Sequence, residues 1–255
     1  MTIRGGNGRR PRRILLRRAL VALVACGAAL LLGAPGWAGE TREPAGLHQI
    51  GTYDALISPD YRGQNSLAPV LTSNAIGLGT FADLDGELVI LAGIAYRVGT
   101  DGVPRQVAGS VRTPFAQAAT FTPQRSGPIA PGTSCAQLAE AVNALVGRSG
   151  GLVAVRVRGT FADLITRSVP AQTEPYPSLA AVVATQTVFQ LGRRNAVLVG
   201  FRQGPDFLGV GAPGLHLHAL TTDRTAGGHV LSCMAGPDVQ LSVQSLPGVT
   251  IYDTD

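Results

Sequence analysis

Apolar positions along this chain follow two different periods, and the changes between them predict the elements. From Asn74 to Phe81, and again from Glu87 to Tyr96, apolar residues run almost unbroken, with Asp83-Leu84-Asp85-Gly86 between the two runs. Asp-Gly between apolar runs is a tight-turn signal, so this region reads as a β-hairpin followed by another strand, and a strand with so few polar residues is expected to be buried on both faces. Asp101-Gly102 starts a further turn, and Pro123 to Pro131 reads as a loop. Ser134-Cys135-Ala136-Gln137 has the spacing of a capping box, and Leu138, Val142 and Leu145 recur at helical intervals before Gly147 and Gly150 stop the helix. The period then drops to two. Val153, Val155 and Val157 alternate with Ala154, Arg156 and Arg158, as in a strand with one wet or functional face. A second helix is expected from Ser178 to Phe189, with Leu179, Val182, Val183 and Gln186 on its inner side. Strands follow at Ala196 to Phe201, Leu215 to Leu220, His229 to Met234 and Val239 to Val243.

This order predicts strands and a helix first, then an antiparallel sheet or partly closed barrel built from closely spaced strands. On composition the boundary falls near Gly147 to Gly151, giving an N-terminal domain over 39–148 and a C-terminal β domain over 149–255. Residues 1–38 are set apart as an export signal, with an arginine-rich start, an apolar run from Ala19 to Ala34 and small residues before Gly39. That run is shorter than a membrane span and is followed by Pro35 and Gly36, so cleavage after Ala38 and a periplasmic or secreted destination are expected. Arg17-Arg18 also suits a twin-arginine signal. Leu23 to Cys26 resembles a lipoprotein box, which the apolar residues after Cys26 argue against.

The leader also changes the meaning of the charge. All 21 basic residues are arginines; seven lie within the first 18 positions, while all 16 acidic residues lie at Glu40 or later. Beyond position 38, 14 arginines therefore face 16 acids, a net of −2, and nucleic-acid binding loses its electrostatic motive. Cys135 and Cys233 remain after the leader, and in an oxidising compartment they are either a disulfide or two buried thiols.

Candidate chemistry concentrates late in the chain. Three of four histidines, His216, His218 and His229, fall within Gly214-Leu215-His216-Leu217-His218 and Gly227-Gly228-His229. On a strand, H-x-H puts both imidazoles on one face and Leu215 and Leu217 on the other. A turn near Asp223 and Arg224 would bring His229 roughly opposite His218 on that same face. Three imidazoles suit zinc, copper, iron or nickel, and with no obvious fourth protein ligand they leave a coordination position open, which is the habit of catalytic sites. His48 stands alone and reads as a surface residue. From spacing alone, Glu87 reads as a solvated turn carboxylate and Arg167 as an exposed loop arginine beyond the Val153 to Phe161 strand. The alternatives are an acid–base group and a planar fork for a substrate carboxylate.

Several separated motifs decide between these readings. Gly79-Thr80-Phe81 with Leu84-Asp85-Gly86-Glu87, Gly159-Thr160-Phe161 with Thr166-Arg167-Ser168, Glu174-Pro175-Tyr176, Gly214-Leu215-His216-Leu217-His218 and Gly227-Gly228-His229-Val230 together resemble the α-acetolactate decarboxylase family, over about Asn74 to Val243. The resemblance implies that His216, His218 and His229 hold Zn2+, that Arg167 contacts substrate, that Glu87 is the active-site glutamate and that Thr80 lies nearby. It implies an α/β (α+β) homodimer of two-domain subunits, a mixed-sheet N-terminal domain followed by a zinc-bearing β domain, and a small 2-hydroxy-3-keto acid substrate, with 2-acetolactate converted to acetoin and carbon dioxide. Losing carbon dioxide leaves an electron pair that a Lewis acid stabilises, while Arg167 orients the carboxylate and Glu87 returns a proton.

Departures from the family pattern bear on this expectation. Family members usually carry a tail that brings a second glutamate to the metal; after Val243 and Pro247 no residue up to Asp255 sits in a matching motif. Leu215 and Ala219 stand where the family commonly has aromatics, which is expected to widen the pocket wall. A cupin-like metal oxygenase or hydro-lyase, and an exported zinc-binding protein without turnover, are the competing functions.

Overall fold

The computed structural model describes residues 46–147 and 151–252; the expected export signal, Asp253 and Asp255 lie outside the described residues. The first half contains β1 (Leu47–Ile50), α1 (Tyr53–Ile57), β2 (Asn65–Ser66), β3 (Ala75–Thr80), β4 (Glu87–Leu91), β5 (Ile94–Val98), β6 (Pro104–Val107), β7 (Arg112–Thr113), β8 (Ala116–Thr120), β9 (Arg125–Pro128) and α2 (Cys135–Val146). The second contains β10 (Leu152–Ser168), α3 (Leu179–Ala184), β11 (Thr187–Gln190), β12 (Arg194–Gln203), β13 (Gly214–Thr221), β14 (Gly227–Ala235), β15 (Gln240–Leu246) and β16 (Val249–Tyr252).

Two large sheets result. The first has the order β16-β1-β8-β3-β4-β5-β6 and is mixed, because β16 runs parallel to β1 while the other pairs are antiparallel. The second runs β12-β13-β14-β10-β15-β9, and β12 also pairs with β10, so β10, β12, β13 and β14 close into a four-stranded barrel. Closure depends on the length of β10. Its first half pairs with β12 over Leu152 to Phe161, and its second half turns to β14 through register shifts between Phe161 and Asp163 and between Ile165 and Thr166. Bulges of this kind bend a strand and increase its twist, which lets one strand serve both sides of a small barrel. The sheets exchange end strands: β9 precedes α2 but pairs with β15, and β16 ends the described chain but pairs with β1.

The cores explain the apolar patterning. Val153, Val155 and Val157 point into the barrel with Leu198, Leu217 and Ala219, capped by Leu138 and Val142 of α2. Leu78, Val89, Val98 and Phe115 of the first sheet meet Leu152, Ala154, Val199, Phe201 and Leu220 of the second. Leu88 and Ile90 lie in a third cluster with Ile50, Val70 and Ala116, so β4 is buried on both faces, as its composition predicts. The capping box at Ser134 also forms: the Gln137 amide donates to Ser134 Oγ and the Ser134 amide donates to Gln137 Oε1.

The Glu87 to Tyr96 run divides into β4 and the further expected strand, β5, where Ala92 and Gly93 both take positive φ and turn the chain. Tertiary pairing overrides local pattern in three places. The second helix ends at Ala184 rather than Phe189; Thr187 to Gln190 pair instead with the end of β10, a placement that suits their β-branched and aromatic side chains. The expected Pro123 to Pro131 loop contains β9, recruited by β15. His48 is buried, not at the surface, and its Nδ1 lies 2.8 Å from Tyr252 Oη.

Cys135 and Cys233 form a disulfide with Cα atoms 5.0 Å apart, at positions separated by 98 in the sequence, tying the start of α2 to β14. Cross-linking so long a loop restricts the unfolded chain. Replacing both cysteines by serine is expected to lower stability by about 2–5 kcal/mol, read as a lower urea midpoint that dithiothreitol reproduces in the parent protein and leaves unchanged in the variant.

Candidate metal centre

The site lies where the outer face of the barrel meets the first sheet. Register brings its histidines together: His218 of β13 stands directly opposite His229 of β14, and His216 lies two residues along the same face. Leu217 and Ala219 point the other way, into the barrel core, as strand alternation requires. Gly228, with φ +121, precedes His229 because β14 passes close to Arg167 there; a Cβ at this position would stand 2.4 Å from the Arg167 carbonyl oxygen. The same approach pairs Arg167 with His229 across β10 and β14, so Arg167 belongs to a strand and not to an exposed loop.

Three ring nitrogens converge. His229 Nδ1 is 3.1 Å from His216 Nε2 and 3.2 Å from His218 Nε2. His218 Nδ1 lies 2.7 Å from the Leu88 carbonyl oxygen, which can only accept, so the proton sits on Nδ1 and Nε2 presents a lone pair. Burial, with Arg167 nearby, pushes His216 down to about 4, and burial likewise holds His218 and His229 well below the ordinary imidazole range. All three rings are therefore neutral at pH 7, the state a metal ligand requires. With Zn–N bonds of about 2.0–2.1 Å, tetrahedral ligands sit roughly 3.3 Å apart, so the spacing fits one divalent cation of the zinc class. The donor set supplies three imidazoles and leaves room for substrate.

The first sheet contributes the acid. Glu87 opens β4, is 5% exposed, and places Oε2 3.6 Å from His218 Nε2 and Oε1 3.9 Å from Arg167 Nη1. Burial raises its carboxyl to about 7, against the opposing charge of Arg167. Such a group holds a proton near neutrality and can release it. Arg167 is only 14% exposed in its side chain. Thr80 is buried beside Glu87, and its hydroxyl donates to the Gly86 carbonyl oxygen at 2.8 Å. Thr80 thus secures the turn that delivers Glu87.

All six expected site residues line one cavity of about 310 Å³. Its remaining wall is largely apolar, with Leu56, Leu84, Phe115, Leu179, Val183 and Leu215 among its residues. Leu215 enters the wall as the sequence predicts. Ala219 does not; it faces the barrel core, so its small size cannot widen the cavity. The structure adds wall residues from α1 and α3, which carry no motif of their own, and the Leu88 carbonyl, a backbone group invisible in side-chain patterns.

The Alpha-acetolactate decarboxylase family model matches residues 47–252, nearly all of the described chain. The chain belongs to this family. An alpha-acetolactate decarboxylase of Methanosarcina mazei is 36% identical over 201 residues, covering 78% of this chain and 70% of the relative. That of Klebsiella aerogenes is 35% identical over 185 residues, covering 72% of this chain and 71% of the relative. The crystal structure of alpha-acetolactate decarboxylase from Bacillus subtilis strain 168 superposes with a TM-score of 0.77 at 27% identity, covering 82% of this chain and 89% of that one. Membership in the alpha-acetolactate decarboxylase family supports an enzymatic, carboxy-lyase activity for this chain.

Truncating one ring separates metal holding from substrate handling. His218→Ala is expected to lose stoichiometric zinc, measured by elemental analysis after dialysis, whereas Arg167→Ala retains it. Full metal occupancy in His218→Ala would contradict the ligand assignment.

Proposed function

We propose that this protein converts (S)-2-acetolactate to (R)-acetoin and carbon dioxide, using Zn2+ held by His216, His218 and His229. The observation that carries the reading is the convergence of three neutral imidazole nitrogens, one buried carboxyl group and one partly buried guanidinium on a single cavity between the sheets. When bound, the cation supplies Lewis-acid charge for the electron pair left behind by the departing carbon dioxide.

The chain's own residues do the rest. Arg167 offers a planar fork that holds the substrate carboxylate and sets the bond to be broken. That bond, between the carboxylate carbon and C2, gives its electrons to C2 and the adjacent ketone as carbon dioxide leaves. Glu87 then delivers its proton to C2, which restores a neutral product; acting from one wall of the cavity, it reaches one face and makes one enantiomer. Apolar residues such as Leu84, Leu179 and Val183 keep bulk water from competing for that position. Thr80, bonded to Gly86, acts on the placement of Glu87 and not on substrate.

The proposal extends to organisation: export after a leader over 1–38, a homodimer, and two structural halves over 39–148 and 149–255 that exchange one strand each.

Purified protein given racemic 2-acetolactate is expected to form acetoin, to stop when a chelator removes the metal and to resume when zinc is restored. Glu87→Gln, which keeps the shape and loses the transferable proton, is expected to lower kcat by about 10²–10⁴-fold with zinc retained. Stoichiometric zinc without acetoin would instead support a binding protein, and bound iron with oxygen consumption would support an oxygenase.

A further inference from the structure

The Glu174-Pro175-Tyr176 motif has no part in the chemistry above, yet Tyr176 reaches the turn from which Glu87 enters the site. Its hydroxyl donates to Asp83 Oδ1 at 2.5 Å. The Tyr176 ring lies 5.0 Å from that of Tyr61, whose own hydroxyl donates to the Pro177 carbonyl oxygen at 3.0 Å. Two backbone bonds hold the same aspartate: the Asp83 amide donates to the Tyr61 carbonyl oxygen at 2.6 Å, and the Gln172 amide donates to the Asp83 carbonyl oxygen at 2.7 Å.

These contacts converge on a strained place. Asp83 and Leu84 take φ of 61° and 56° in succession, a left-handed conformation that residues with side chains keep only when their surroundings impose it. The result is a tight connection between β3 and β4 in which Leu84 enters the cavity wall and Thr80 pairs with Glu87. Three residues after Tyr176, α3 begins and places Leu179 and Val183 in the same cavity wall. The Tyr176 to Asp83 bond therefore joins two walls of the site, while Tyr176 itself is not among the residues lining it.

We propose that Tyr176 is a positioning residue: by bonding Asp83 it braces the strained Asp83-Leu84 turn against the segment from Gln172 to Ser178, and so sets Glu87 and Leu84 opposite the histidines. It acts through Asp83 and does not touch the reacting atoms. The kinetic part of this inference rests on the decarboxylase reading; the structural part does not.

The test compares the parent protein with Tyr176→Phe, Asp83→Ala, Asp83→Asn and the Tyr176→Phe/Asp83→Ala double variant, by zinc content, acetoin kinetics and amide hydrogen exchange over residues 82–91. Tyr176→Phe and Asp83→Ala are each expected to keep zinc and to lower kcat about tenfold, with KM changed by less than about twofold, because a small displacement of the proton donor slows chemistry more than binding. The double variant falls no further than either single one, since both remove one bond. Asp83→Asn retains an acceptor oxygen and tolerates the left-handed conformation, so it keeps near-parent kinetics. Exchange at residues 82–87 rises in Tyr176→Phe and Asp83→Ala and stays at the parent level in Asp83→Asn. Parent-like kcat and exchange in Tyr176→Phe, multiplied losses in the double variant, or an Asp83→Asn as impaired as Asp83→Ala would each overturn the proposal. A parent protein that forms no acetoin would defeat the decarboxylase reading instead, and the exchange pattern would then decide the brace. If Asp83→Ala does not fold, Tyr176→Phe and Asp83→Asn decide it between them.

Discussion

The hydrogen bond from His218 to the Leu88 carbonyl is the contact on which the site depends. It crosses from the barrel to the first sheet, and its 2.7 Å length fixes one ring's tautomer and orientation at once. Burial makes that bond necessary: an imidazole 1% exposed cannot leave its N–H unpaired without a desolvation cost of about 1–3 kcal/mol. With Nδ1 committed to Leu88, Nε2 is left bare and aimed at the nitrogens of His216 and His229. The remaining ligands follow from register, since His229 is the cross-strand partner of His218 and His216 shares its face.

Neither sheet contains a site by itself. The barrel presents His216, His218, His229 and Arg167; the first sheet presents Thr80 and Glu87. Their separation of 3.6 Å at Glu87 and His218 is set by how closely two apolar surfaces dock. Gly200 of β12 leaves space on both sides: a Cβ would stand 2.0 Å from the His216 carbonyl oxygen of the neighbouring strand and 3.0 Å from Leu78 Cδ2 of the facing sheet. The exchanged strands β9 and β16 restrain the same docking from the ends of the sheets. A packed interface of this kind holds few alternative arrangements, which is the property a proton donor and a ligand set from different sheets require.

Much of the site was legible in the sequence because it is encoded in local periods. H-x-H is a statement about one strand face, and the turn after Leu220 is short enough that His229 had few registers available. Glu87 and Arg167 were different: spacing favoured a solvated carboxylate and a loop arginine, and only the resemblance to known motifs placed them beside the histidines. Their burial is created by strands distant in sequence, with Arg167 enclosed by pairing to β14 and Glu87 covered by the docked barrel. The elements misjudged from pattern, β9 and β11, share that cause. Each is decided by a partner strand that no period reveals. The apolar walls from α1 and α3 were illegible for the same reason.

Under the proposed function the cavity must admit an anion, and the spacing of Glu87 and the partly buried Arg167 suits that demand. At 3.9 Å their closest oxygen and nitrogen are beyond hydrogen-bond length, so the pair attracts without committing the guanidinium's donors. A tighter bidentate pair would hold Glu87 ionised and leave Arg167 with nothing to offer a substrate carboxylate. Desolvation instead outweighs that attraction and raises Glu87 to about 7. A carboxylate entering between Arg167 and the histidines takes up the unused donors, and its negative charge further favours the protonated form of the neighbouring glutamate. Under the proposed function, substrate binding and readiness of the proton become the same electrostatic event, because the ion pair is loose.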